Sequence, residues 1–141
     1  MSQWIDLDAI LSRLNPPATI ALSADVKGIQ IFSDPMFEKV FFNLLDNSIR
    51  HGQRVTAIRV SAHPSGGDLV VVWEDNGVGI AADEKEKIFE RGFGKNTGLG
   101  LFLSREILTL TGITITETGV PCRGARFEIQ VPKGVFRTSV E

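Results

Sequence analysis

Apolar and polar positions along this chain recur with two different periods. Ile58, Val60 and Ala62 interleave with Arg59, Ser61 and His63, an alternation that predicts a half-buried strand. The turn Pro64-Ser65-Gly66-Gly67-Asp68 then leads into a second strand, Leu69-Val70-Val71-Val72-Trp73-Glu74. Ile20 to Ser23 and Gly28 to Phe32 predict a hairpin around Asp25-Val26-Lys27. Between these strands the period is helical: Phe37, Val40, Phe41, Leu44 and Ile49 mark a core-facing side. Ser33 or Asp34 is placed to cap that helix, with Pro35 at its first position and a stop near Gly52. Trp4 to Leu14 predicts a short helix or turn, closed by Asn15-Pro16-Pro17. A short helix is expected near Asp83 to Phe89, with Asp83 and Glu86 as a capping box. A longer helix, Leu99 to Leu110, ends at Gly112. Ile113 to Thr118 and Ala125 to Val131 are the last strands, and Lys133 to Glu141 has the weak patterning of a disordered tail. Mixed strands and helices with antiparallel hairpins predict an α+β class, a sheet with helices on one face.

Composition narrows the function. The 141 residues, 43% hydrophobic and 23% charged, supply one domain with a sizeable core. A net charge of -2 argues against a nucleic-acid module, which carries a basic excess. No apolar run spans a bilayer and the N-terminus has no signal-peptide pattern, so a cytoplasmic domain without membrane contact is expected. The single Cys122 excludes an internal disulfide, and the two histidines lack metal-ligand spacing.

Chemistry concentrates in three stretches. In Asn43-Leu44-Leu45-Asp46-Asn47-Ser48-Ile49-Arg50-His51, Asn43, Asn47 and Arg50 fall at i, i+4 and i+7 and share a helix face. Two amides and a guanidinium there suit a metal ion and phosphate oxygens. Asp75-Asn76-Gly77-Val78-Gly79-Ile80 follows a valine-rich strand, so a carboxylate projects into a cleft while the backbone turns close to a ligand. Asp75 accepts hydrogen bonds, which suits a ligand amine such as that of adenine; an Asx-type turn with Asn76-Gly77 explains the same residues. Gly92-Phe93-Gly94-Lys95-Asn96-Thr97-Gly98-Leu99-Gly100 runs into a helix, whose free N–H groups and dipole bind phosphate. It lacks the Gly-Lys-Ser/Thr ending of a Walker A loop, and no strand immediately precedes it as a dinucleotide fingerprint requires.

In that order and at those separations the motifs resemble the ATP-binding catalytic domain of sensor histidine kinases, within the GHKL superfamily that also holds gyrase, Hsp90 and MutL-type ATPases. Asn43 to His51 resembles the N box, Asp75 to Ile80 the G1 box and Ile88 to Phe93 the F box. Thr97 to Leu101 resembles the G2 box and Gly124 to Phe127 a G3-like segment. The resemblance covers Trp4 to Pro132. It implies a two-layer Bergerat-type α/β sandwich with a mixed, mostly antiparallel sheet, residues 1–132 being the catalytic domain and 133–141 a tail. It also implies ATP and Mg²⁺ as ligands. Asp75 would hold the adenine amine, helped by the Gly77 and Gly79 turn. Asn47 would ligate Mg²⁺ through its amide oxygen, Asn43 would support metal or phosphates, and Arg50 would neutralise phosphate charge. His51 would stand against the nucleotide. Thr97, Gly98, Leu99 and Gly100 would cradle the phosphates, with Lys95 reaching the terminal one. Ile80, Ile88 and Phe89 would line the pocket or anchor the lid.

Gyrase-type relatives place a glutamate general base four residues before the metal-binding asparagine. Asn43 stands there in this chain, and an amide takes no proton from water, which favours a kinase over a hydrolase. Two departures stand out: the lid between Phe93 and Gly98 is short, and Ala125 replaces a common threonine near the adenine. No dimerising two-helix hairpin with a phosphoacceptor histidine precedes Trp4, and neither His51 nor His63 has that context. The expectation is a catalytic fragment or stand-alone domain that acts on the histidine of a separate dimerisation domain, upstream of a response regulator. Its parent would sit in the cytoplasm or at a membrane anchor. The alternatives are an anti-sigma-type serine kinase, a non-catalytic nucleotide-sensing docking module and, weakened by Asn43, a slow ATPase.

Overall fold

The structure, a computed structural model, describes residues 1–93 and 100–139. Eight strands form two sheets: β1 (Gln3–Asp6), β2 (Ala21–Asp25), β3 (Ile29–Ser33), β4 (Ala57–Ser65), β5 (Asp68–Asp75), β6 (Thr114–Glu117), β7 (Arg126–Val131) and β8 (Phe136–Thr138). Three α-helices are α1 (Leu7–Ser12), α2 (Phe37–His51) and α3 (Gly100–Thr109). The larger sheet has the order β2-β4-β5-β7-β6 and the smaller the order β1-β3-β8. Among the described residues only the β2–β4 pairing is parallel, so the large sheet is mixed and mostly antiparallel, as expected.

Register explains how the large sheet is covered. Val60 lies opposite Trp73 and Trp73 opposite Phe127; Ala62, Val71 and Ile129 form the next row. These side chains alternate toward the helices, where Phe41 of α2 packs a tilted ring 6.4 Å from Trp73. Leu7, Ile10 and Leu11 of α1, Phe37 and Leu44 of α2, and Ile107 and Leu108 of α3 complete one core. The opposite face carries Arg59, Ser61 and His63, with Glu74, Arg126 and Glu128 across from them. Val70 and Val72 are buried on that face too, beneath long polar neighbours such as Glu128 and Gln130. Trp73 and Phe41 are each fully buried, and truncating either to alanine would cost about 3–5 kcal/mol.

Several local expectations are corrected. Trp4 belongs to a strand; the helix begins at Leu7, capped by Asp6, whose carboxylate accepts from Ala9 N at 2.9 Å. The expected hairpin of β2 and β3 does not form. β2 joins β4 in one sheet, and β3 pairs with β1 and β8 in the other, because its apolar partners lie at Trp4, Ile5 and Phe136. The tail expected from Lys133 onward contributes β8 instead, which closes the small sheet. Helix α2 starts at Phe37 rather than Pro35. Asp34 still serves its approach, its carboxylate accepting from Met36 N at 2.8 Å. The segment from Asp83 to Phe89 forms two 3-10 turns, Ala82–Glu84 and Lys87–Phe89, without the capping box; Glu86 faces Arg105 at 3.7 Å.

Candidate functional site

Helix α2, the end of β5 and the first turn of α3 meet through side chains that the sequence separates widely. From α2, Asn43 Nδ2 donates to the Gly100 carbonyl and to Ser104 Oγ, both at 3.0 Å. One turn on, Ser48 Oγ donates to Asp75 Oδ2 at 2.8 Å. At the helix end, the Gly52 carbonyl accepts from Val78 N at 3.1 Å. Asn43, the turn from Asp75 to Val78 and Gly100 are therefore brought to one corner of the fold.

Asp75 is its centre. Alternation along β5 turns this acid toward the helix side of the sheet, in the same phase as Val71 and Trp73, and it is 7% exposed. Burial of a carboxylate is tolerated when donors surround it. Here Oδ1 accepts from Gly77 N at 2.9 Å and Ala125 N at 3.0 Å, while Oδ2 takes the Ser48 hydroxyl. The Asx-type turn posed from sequence is thus present, Gly77 N donating to the carboxylate two residues before it. Asn76 points elsewhere, its side-chain oxygen accepting from Thr56 N and Ala57 N at 2.9 and 3.1 Å.

The glycines follow from close packing. A Cβ on Gly77 would lie 2.5 Å from the Gly52 carbonyl oxygen. Gly79 has φ +76, and a Cβ there would meet the Gly124 carbonyl oxygen at 2.9 Å. Backbone therefore packs closely on backbone beside Asp75, which leaves no room for a side chain at either glycine.

The remaining residues of the α2 motif divide. Asn47 is half-buried, and its carboxamide makes no hydrogen bond among the described residues. Arg50 is exposed and holds Asp46 along the helix at 2.7 Å. His51 is exposed at the helix end. Ile49, expected in the core, is 41% exposed, because Phe41, Leu44, Leu45 and Ser48 define the buried stripe. Phe89 is buried, edge-on to Phe127 with ring centroids 6.3 Å apart, and Arg105 stacks 4.1 Å above it. Ile88 is buried in the same core, and Ile80 packs against it. Lys95, Thr97, Gly98 and Leu99 lie outside the described residues. Gly100 opens α3 and carries the Asn43 contact.

Mg²⁺ would meet a donor set of the right hardness. Asn43 and Asn47 stand one turn apart on α2, each with a neutral amide oxygen. That matches a cation that keeps waters and shares phosphate oxygens rather than one held in a protein cage.

Sequence reasoning missed Ser48, Trp73 and Glu117. Trp73 Nε1 donates to Ser48 Oγ at 3.1 Å. Glu117, in phase with Ile115 on the helix-facing side of β6, is buried and paired with Lys85. Its Oε2 accepts from Gly119 N and Arg126 N, each at 3.0 Å. The signal was available: Ser48 lies seven residues after Phe41 on the core stripe, and Glu117 follows Ile113 and Ile115 in alternation.

Comparisons agree with this geometry. The family described as histidine kinase-, DNA gyrase B-, and HSP90-like ATPase matches residues 33–135. The sensor protein KdpD of Escherichia coli is 29% identical over 93% of the chain, and the alginate biosynthesis sensor protein KinB of Pseudomonas aeruginosa is 38% identical over 67%. The chain spans 16% of the length of the first and 17% of the second. Among solved structures, full-length ShkA in complex with AMPPNP superposes with a TM-score of 0.80 at 21% identity, over 99% of this chain and 32% of that one. At that identity the likeness shows the fold.

Proposed function

Because the chain belongs to the histidine kinase-, DNA gyrase B-, and HSP90-like ATPase family, we propose that it binds ATP with Mg²⁺ and passes the γ-phosphate to a histidine of a separate dimerisation domain. Asp75 receives the adenine amino group at its one uncommitted acceptor position. Asn47, supported by Asn43, would hold Mg²⁺, which supplies charge neutralisation at the phosphates when bound. Arg50 adds positive charge one turn further along α2, and the Gly98-Leu99-Gly100 backbone would offer N–H groups to the phosphates. An imidazole nitrogen of the partner attacks the γ-phosphorus in line; the nitrogen–phosphorus bond forms as the bond to the bridging oxygen breaks, and ADP leaves.

The observation that carries transfer rather than hydrolysis is Asn43. It occupies the position of the glutamate base of hydrolytic relatives, and its amide nitrogen is committed to Gly100 and Ser104. A residue so used activates no water. Full-length ShkA carries AMPPNP in its solved complex, which supports the choice of nucleotide.

The test is transfer in trans. The chain is mixed with γ-labelled ATP, Mg²⁺ and a helical-hairpin domain bearing the acceptor histidine. Acid-labile, base-stable label on the hairpin is expected. Acid-stable label would replace this reading with a serine kinase, and saturable ATP binding without any transfer would replace it with a nucleotide-sensing docking module.

A further inference from the structure

We propose that β2 is a self-association edge, which pairs antiparallel with β2 of a second copy of this chain about a two-fold axis at Ser23.

β2 ends the large sheet, with β4 on one side and, among the described residues, no strand on the other. Ala21 N donates to the Thr56 carbonyl at 2.9 Å, and the parallel register runs from Ala21 opposite Ala57 to Asp25 opposite Ser61. Backbone groups alternate along a strand. Ala21, Ser23 and Asp25 therefore bond to β4, while Leu22 and Ala24 point their N–H and C=O groups outward. Those outward groups have no partner among the described residues. Open edges are ordinarily blunted by charge, proline or a bulge. β2 has none of these before Asp25, and every residue in it except Leu22 is exposed. The far edge of the sheet differs: Arg105 covers the Ile115 carbonyl of β6, donating to it at 3.4 Å.

The strand fits itself. With the axis at Ser23, Leu22 of each copy stands opposite Ala24 of the other. Both residues carry the outward groups, so each such pair exchanges both of its N–H···O bonds. Asp25 falls opposite Ala21 of the other copy, which keeps the two acids at opposite ends of the seam, with no like charges facing. Side chains agree with the backbone. Leu22 and Ala24 lie in register with the buried Ile58 and Val60, on the helix-facing side of the sheet. Beside them a groove of about 310 Å³ separates β2 from α1, with Leu11, Leu14, Pro16 and Ala24 among its walls. Leucine from the second copy, set opposite the small Ala24, enters that groove, and the two-fold repeats the contact on the other side. An unrelated extended segment would gain the same backbone bonds, but a second copy also supplies the matching large and small side chains.

The experiment is sedimentation equilibrium of the chain from micromolar to millimolar concentration, with thermal melts alongside. The wild-type mass should rise with concentration from that of one chain toward that of two. Ala24→Pro removes an outward N–H and no bond within the chain, a change that edge strands tolerate. It should hold the mass at one chain and melt close to wild type. Register is read by oxidation in a Cys122→Ser background. Ser23→Cys sets two thiols directly opposite each other and should cross-link as a dimer. Ala21→Cys, on the same face but opposite Asp25, should not. The two cysteine variants decide alone if Ala24→Pro melts early. A wild type that stays a single chain throughout overturns the inference and leaves the edge to an extended segment of another protein. Association that persists in folded Ala24→Pro, or equal cross-linking of the two cysteine variants, overturns it as well.

Discussion

On the proposed function two side chains, Asp75 and Asn43, decide most of the chemistry, and each can be tested by an isosteric change. Asp75→Asn keeps the shape of the carboxylate but sets an amide N–H₂ where Oδ1 accepts two backbone N–H groups or where Oδ2 accepts Ser48. Nucleotide affinity should fall at least about 100-fold, as expected when a site built around an acceptor loses it. Circular dichroism should show the fold intact. Asn43→Asp replaces the amide donor with an oxygen facing the Gly100 carbonyl, 3.0 Å away in the native chain. Two acceptors then oppose each other, and chemical denaturation should report a loss of about 1–3 kcal/mol. Asp75 and Asn43 were legible in the sequence because they sit in dense motifs of polar residues and glycine. Ser48 was not, because serine inside a helix ordinarily faces solvent or its own backbone.

Elements join through interactions that no local pattern contains. Lys85, between the two 3-10 turns, reaches across to Glu117 on β6 and donates to the Gly119 carbonyl at 2.8 Å. This pair, with Glu117 buried and Lys85 partly exposed, pins the segment after β5 onto the sheet. Glu117→Ala leaves Gly119 N and Arg126 N without their acceptor and removes the Lys85 ion pair, and should cost about 1–3 kcal/mol, read as a lowered Tm. At the surface, the hydrogen bond from Arg13 holds the Glu38 carboxyl below the usual carboxylate range and ties α1's end to α2. Asp68 is lowered likewise by Gln130 and then by Lys133 N, where β5 meets the end of β7. A lowered value in the folded chain means that the unfolded chain takes up protons first. The stability these contacts give is therefore present above the ordinary carboxylate range and lost as pH falls toward the folded-state values. Thermal melts between about pH 6 and about pH 3 should fall less steeply in Glu38→Gln, Asp68→Asn than in wild type. Element types came through well from periodicity, but pairing did not. The strands of the expected hairpin are neighbours in sequence, yet β3 finds its partners at Trp4 and Phe136, a separation that alternation cannot report.

For the whole molecule, one core beneath a mixed sheet places the end of α2, the end of β5 and the start of α3 together, and the family match covers all three. Fold class and family were legible because four or five motifs kept their order. The small sheet was not, because each of its strands is short and distant in sequence from its partner. Among the described residues no helix is long and apolar enough to cross a membrane. On the proposed function the chain should bind ATP and leave its own His51 and His63 unphosphorylated; mass spectrometry after incubation with Mg²⁺-ATP checks that. The most direct measurement is calorimetric titration with an ATP analogue, with and without Mg²⁺, on wild type and Asp75→Asn. Saturable binding that tightens with Mg²⁺ and vanishes in the variant is the predicted result. Binding that is absent in the folded wild type, or that Asp75→Asn leaves unchanged, would contradict it.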